Sequence, residues 1–303
     1  MVEEVYSIET EAYALRVCRD GRIMIRIEDL EREEDPDHPE PIEETVRTWG
    51  KYLDYLNAFY LLLDSSTIEI ISLGYFNLHE ITNRDAFRVR YEDGRSVGEN
   101  IAIESIASVF QMGRYLSSYQ SGIPIEHDPK LSMRQVIPIE VLEDASGKFA
   151  EVVASPGLEK LIASFAKSLS EYKIGNYETS VVIAWFIVER GITRIWEKHI
   201  KGMNVEFSGG KKRINRERRD FLTGRDFSMS IVSNMLELGE LLPFEVFEDI
   251  DTVRGLRNKI VHGHDYQPDA ENAQLALKTA QWMITHEWGF GFTPNTGYSV
   301  SGI

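Results

Sequence analysis

The stretch Phe244-Glu-Val-Phe-Glu-Asp-Ile-Asp-Thr-Val-Arg254-Gly-Leu-Arg257-Asn258-Lys-Ile-Val-His262-Gly263 decides how the second half of this chain reads. At about 100° per residue, Val246, Ile250, Val253, Leu256 and Ile260 gather on one side and predict a helix packed on a core. Pro243 and Gly263 mark its two ends, with Gly263 expected as the left-handed residue beyond the last turn. Arg254, Asn258 and His262 are spaced by four and form a polar stripe. Arg257 falls between that stripe and the apolar side.

The neighbouring segments carry the same period. Residues 158–172 are amphipathic, and residues 176–200 are apolar on nearly every side in their middle, as a central helix should be. Residues 228–241 and 269–287 predict two more helices, with Asp269 as an N-cap. The tail from Gly289 is rich in Gly, Ser, Thr and Asn and reads as loose.

Upstream of about residue 150 the pattern differs. Residues 13–18 and 22–27 alternate at period two around Asp20-Gly21, a hairpin signal. Residues 28–44 are acidic and hold three prolines, so they read as a loop. Residues 42–63 and 99–119 predict helices, while 68–73, 87–91 and 135–142 predict strands. The fold class is therefore an α+β N-terminal domain (1–150), an all-α helical bundle (151–288) and a flexible tail (289–303).

Charge separates the halves as well. The whole chain carries −16. Residues 1–150 hold 15 Lys/Arg against 29 Asp/Glu, and the remainder hold 18 against 20. The acidity thus belongs to the N-terminal half, and a nucleic-acid partner remains open for the other. No run approaches the roughly 18 apolar residues of a membrane span. The acidic start Met1-Val-Glu-Glu is not a secretory signal. The lone Cys18 forms no internal disulfide and implies a reducing, cytoplasmic setting.

An imidazole that titrates near neutrality and a guanidinium that grips phosphate oxygens suit phosphodiester chemistry. RNA brings its own nucleophile, the 2′-hydroxyl, so such a site needs no metal and no cofactor. The same groups also offset the dipole at a helix end, which is the structural alternative.

The Arg-Asn-x-x-x-His-Gly element at the end of a late helix resembles the HEPN family of small helical domains found in prokaryotic RNA-targeting and defence systems. The segment from Tyr172-Lys-Ile-Gly-Asn-Tyr177 to Val188-Glu189-Arg190 resembles that family's early helix pair. The resemblance covers about 130 residues, from Leu158 to Glu287, and nothing before them. It implies a homodimer in which the Arg–His elements of two copies face each other, and metal-independent cleavage leaving a cyclic phosphate. It further implies Arg257 and His262 as catalytic residues, Asn258 as an orienting one, and Glu189 as the helix acid that pairs with Arg257. One subset of the family is silenced through a Tyr two positions after the His. Here that position is His264, and the nearest tyrosine is Tyr266.

Lys211, Lys212, Arg213, Arg216, Arg218 and Arg219 make the most basic stretch. It reads either as a phosphate-gripping arm beside the cleft or as a solvated face touching the acidic half. Glu189 has a second reading as a surface partner of Arg190 or Arg194. Asp35-Pro-Asp-His38-Pro-Glu40 holds ligand-type residues, but its prolines prevent a compact metal site. Ser164-x-x-Lys167 lacks companion motifs, and no glycine-rich phosphate loop occurs.

Three function classes follow. The first is a metal-independent endoribonuclease of phage-defence or toxin–antitoxin type, whose N-terminal domain meets a regulatory partner. The second is a non-catalytic dimerisation or interaction module, which the overall acidity favours. The third is a nucleotide-binding sensor using the same arginines.

Overall fold

A computed structural model describes residues 4–18, 21–31, 42–72, 74, 78–86, 88–92, 95–99, 136–207, 209–224, 227–263 and 266–297. The chain divides into two compact units, Met1–Ala166 with Thr293–Ile303, and Lys167–Phe292. The division falls inside a helix, whereas the change of sequence character lies near 150.

The first unit opens with a three-stranded antiparallel sheet of β1 (Glu4–Glu9), β2 (Tyr13–Cys18) and β3 (Ile23–Ile27), with β2 central. β2 is buried at almost every position, whereas β1 alternates half-buried and exposed. The hairpin between β2 and β3 follows the sequence reading, and Gly21 supplies its left-handed residue at φ 87°. β1 was not expected. Its apolar residues Val5, Tyr6 and Ile8 fall on both faces, which blurs the period-two signal.

α1 (Ile42–Ile71) is longer than its apolar period predicts. The segment 68–73 was expected as a strand, but the helix runs into it. The Thr67 hydroxyl donates to the Leu63 carbonyl at 2.7 Å, and the helix ends only at Ser72, whose φ is 57°. Helical momentum from a long amphipathic run outweighs a short β-branched one. β4 (Arg88–Glu92) and β5 (Arg95–Glu99) pair as a hairpin, Glu92 opposite Arg95. Glu99 ends β5 rather than opening a helix, and the rest of the helix expected at 99–119, like the Asp35–Glu40 loop, lies outside the described residues.

The strand expected at 135–142 is also corrected. Pro138 is extended at φ −60°, ψ 150° and α2 (Ile139–Ala154) starts directly after it. Proline suits a helix start because it has no N–H to leave unpaired. Val141, Leu142, Ala145, Phe149 and Val152 then bury one side of the helix. α1 packs on α2. Phe149 meets Tyr13 and Phe59 edge-on, each with ring centroids 5.3 Å apart.

A charged cluster ties these two helices together. Lys148 Nζ lies 2.5 Å from Glu69 and 2.7 Å from Asp144. Burial disfavours all three charges, yet the lysine's hydrogen bonds outweigh it. Glu69 and Asp144 are held below their ordinary values, and Lys148 is held above its own.

The second unit is helical. It contains the end of α3 (Leu158–Lys173), α4 (Tyr177–Met203), α5 (Arg216–Leu222), α6 (Met229–Leu238), α7 (Phe244–His262) and α8 (Ala270–Trp288). α4 is the central element and packs against α6, α7 and α8. A Cβ at Gly191 would stand 2.7 Å from the Met283 sulfur, so glycine lets α4 and α8 approach closely. The Glu287 side chain is only 6% exposed and is matched by Lys198 at 2.6 Å and Arg194 at 3.7 Å. Among the described residues no helix is long and apolar enough to cross a membrane.

Two end details bear on the sequence reading. Asp269 caps α8 by accepting from the Asn272 N–H at 2.9 Å, as expected. Gly263 follows α7 but is extended at φ −104°, not left-handed. Its need for glycine is close approach instead, because a Cβ there would lie 2.6 Å from the Lys259 carbonyl oxygen. The tail expected as loose is held where it is described. Phe290 and Phe292 are buried, Gln281 donates to the Phe292 carbonyl at 2.6 Å, and the Thr293 N–H donates to Ser65 Oγ at 2.7 Å.

Candidate functional site

A surface pocket of about 160 Å³ lies within the helical unit, lined by Trp185, Glu189, Ser228, Met229, Ser230, Arg254, Arg257 and Asn258. Three elements build it. Trp185 and Glu189 are one turn apart on α4, and Arg254, Arg257 and Asn258 are neighbours at i, i+3 and i+4 on α7. Ser228 to Ser230 open α6, so the first turn of that helix borders the pocket.

Of the pocket's two arginines, one is matched by a neighbouring carboxylate and the other is not. An Arg254 terminal nitrogen lies 2.5 Å from Asp251. Arg257 Nη1 donates to the Asn258 amide oxygen at 3.1 Å and makes no ion pair among the described residues. The Nε atoms of Arg254 and Arg257 are both buried without a hydrogen-bond partner. Ser228 occupies the N-cap position of α6, yet its hydroxyl accepts no capping bond. Orphan N–H groups at a helix start carry partial positive charge and favour an anion.

Glu189 contributes the opposing charge. It is half-buried and borders the same pocket as Arg257, but forms no ion pair among the described residues. Neither of its expected pairings is made among the described residues, and Arg194 turns instead to Glu287. His262 stands one turn beyond Asn258 on the same stripe, about 6 Å along the axis. It is exposed and does not line the pocket.

No family model, curated protein or solved structure matches this chain. The pocket's chemistry therefore stands on its own residues.

The basic stretch forms a separate exposed arm. β6 (Glu206–Phe207) pairs with β7 (Lys211–Lys212) around Gly209 and Gly210, at φ 91° and 75°. Lys211, Lys212, Arg213, Arg216, Arg218 and Arg219 are all exposed. Among the described residues the ion pair these six form is that of Arg216 with Asp220, at 3.9 Å. Buried Ile214 anchors the arm, its N–H donating to Asn204 Oδ1 at 2.9 Å. Trp196 Nε1 donates to the Leu222 carbonyl at 2.8 Å. Trp196 lies two turns from Glu189 on the same side of α4, so the arm is rooted about 10 Å from the pocket along that helix.

Among the described residues no group of three His, Cys, Asp or Glu is placed to hold a metal ion. Trp185, Ser228, Met229 and Ser230 were missed in the sequence. The available signal for Trp185 was its i, i+4 spacing from Glu189. For the serines it was their place at a predicted helix start.

Proposed function

We propose that the helical unit is a metal-independent endoribonuclease of the HEPN type that works as a homodimer. One observation carries this reading. Arg254, Arg257 and the first turn of α6 converge on one pocket, Arg257 making no ion pair among the described residues, while His262 continues the same polar stripe one turn beyond Asn258.

In this mechanism a phosphodiester of RNA binds at the Arg254–Arg257 end of the pocket, and Asn258 holds the Arg257 head in place. His262 accepts the 2′-hydroxyl proton as the 2′-oxygen bonds to phosphorus. The phosphorus–O5′ bond breaks, the proton passes to the leaving oxygen, and a cyclic phosphate and a 5′-hydroxyl result. Arg257 stabilises the extra negative charge of the transition state. Glu189 tunes the site through its negative charge on the same pocket. Lys211, Lys212, Arg213, Arg216, Arg218 and Arg219 guide the strand by its phosphates. The acidic N-terminal unit binds a regulatory partner, in a phage-defence or toxin–antitoxin setting in the cytoplasm.

The test is incubation with RNA in chelator, comparing the wild type with Arg257→Ala and His262→Ala. Cleavage by the wild type alone supports the reading, and equal cleavage by all three proteins overturns it. A second reading has one observation in its favour, because His262 lies outside the pocket lining. The pocket is then a non-catalytic anion or nucleotide sensor. That case predicts nucleotide binding that is lost in Arg257→Ala and kept in His262→Ala, with no cleavage by any of the three.

A further inference from the structure

Glu189 and the two arginines enter the pocket from different helices, α4 and α7, which pack against each other. Packed helices keep their axes about 8–10 Å apart, a separation on the scale of one nucleotide from phosphate to base. The Glu189 backbone carbonyl accepts from the Thr193 hydroxyl at 2.8 Å, but its carboxylate makes no hydrogen bond and no ion pair among the described residues. Arg254 is matched by Asp251 and Arg257 donates to Asn258, so neither arginine takes it. A half-buried carboxylate has given up part of its hydration, and a ligand that brings donors makes good that loss.

The rest of the lining suits a flat ring. Trp185, one turn before Glu189 on α4, is buried, and Met229 opens α6; both give the pocket apolar surface. Unstacked RNA bases are held by such surfaces and read along their hydrogen-bonding edges.

A carboxylate discriminates sharply among the four edges. An ionised carboxylate offers two oxygen acceptors and no donor. On the Watson–Crick edge, guanine alone sets two donors side by side, its ring N–H and its 2-amino group. Adenine and cytosine each set an amino group beside a ring-nitrogen acceptor, and uracil sets one N–H between two carbonyl oxygens. Guanine therefore satisfies both oxygens with parallel bonds, whereas the other three leave one unpaired or facing another acceptor.

We propose that Glu189 reads a guanine base, so that guanosine with its 3′-phosphate is the unit of RNA this pocket takes. The assignment rests on the reading above for the phosphodiester at Arg254 and Arg257. The guanosine is then the nucleotide whose 2′-hydroxyl attacks, and cleavage falls on its 3′ side. Glu189 sets specificity and touches no reacting atom. An ion pair with Arg257 would spend both groups; without one, the carboxylate serves the base and the guanidinium serves the phosphate.

Calorimetric titration of the full chain with the 3′-monophosphates of guanosine, adenosine, cytidine and uridine tests the assignment without relying on turnover. The guanosine compound is expected to bind about tenfold or more tightly than the other three. Inosine 3′-monophosphate differs from it only by lacking the 2-amino group and should lose most of that advantage, a comparison that needs no variant. Glu189→Gln should lose the guanosine preference and gain affinity for the adenosine compound, because an amide pairs with adenine's amino group and ring nitrogen. Arg190→Gln, on the same helix but outside the pocket lining, should keep the wild-type order. In a chelator digest of mixed-sequence RNA, fragments should end in guanosine 2′,3′-cyclic phosphate. Guanosine selectivity in binding without any digestion would remove the nuclease reading and keep the base assignment. Digestion with all four nucleotides at the fragment ends would keep the nuclease reading and overturn the base assignment. Equal binding of the four compounds, binding of none, or a guanosine preference that survives Glu189→Gln would overturn it as well.

Discussion

Arg257 and Asn258 are adjacent in sequence and bonded in space, the guanidinium donating to the amide oxygen at 3.1 Å. Adjacent residues on a helix diverge by about 100°, so the long arginine side chain must fold back to meet its neighbour. The amide thereby fixes one terminal nitrogen of a guanidinium whose residue lines the pocket.

Removing that restraint has a measurable cost. Asn258→Ala is expected to reduce chelator-resistant RNA cleavage by about tenfold, while Arg257→Ala and His262→Ala each reduce it by about 10²-fold or more. Single-turnover rates on a labelled RNA give the comparison. Asn258→Asp should be worse than Asn258→Ala, because a carboxylate would neutralise the guanidinium meant for phosphate.

RNA affinity should depend on salt through the exposed arm. Replacing Lys211, Lys212 and Arg213 together by Gln is expected to flatten the slope of log K against log salt by about 2 on a single strand. Fluorescence anisotropy over a salt series reads it. An unchanged slope would place those cations away from the strand.

Gly263→Ala should destabilise the helical unit by about 1–3 kcal/mol, since the new methyl would press on the Lys259 carbonyl. Thermal melting should show a loss of a few degrees. If the left-handed conformation were the reason for glycine here, Gly263→Asn would be tolerated. The extended φ of −104° predicts that it fares no better than alanine.

The Lys148 cluster predicts a pH window. Glu69 and Asp144 are depressed in the folded protein, so their contribution is present above the ordinary carboxylate range and is lost as pH falls through their lowered values. Lys148 is raised, so its contribution is present below the ordinary lysine value and is lost as pH rises past its elevated one. The melting-temperature gap between wild type and Lys148→Met should therefore be widest near neutrality. It should shrink at both acid and strongly alkaline pH.

Much of the helical unit was legible because its boundaries carry chemistry. α7 runs from Phe244 to His262 as read, between a proline and a glycine, and Asp269 caps α8 as read. The N-terminal unit was harder. Short β-branched runs at 68–73 and 135–142 look alike in a strand or a buried helix, and only packing decides between them. For the site, the Arg254–Asn258 grouping was visible in one helical period. Its meeting with Trp185, Glu189 and the start of α6 was not, because those contacts join residues more than 20 positions apart. The distance of His262 from the pocket also escaped, since a stripe gives direction but not depth.

The buried phenyl rings after the last helix set a practical limit on trimming. A fragment of the helical unit ending at Trp288 would strip Phe290 and Phe292 from their seats and leave two greasy hollows open to water. The shortest version worth purifying therefore extends through Phe292, and its recombinant handle belongs beyond that ring.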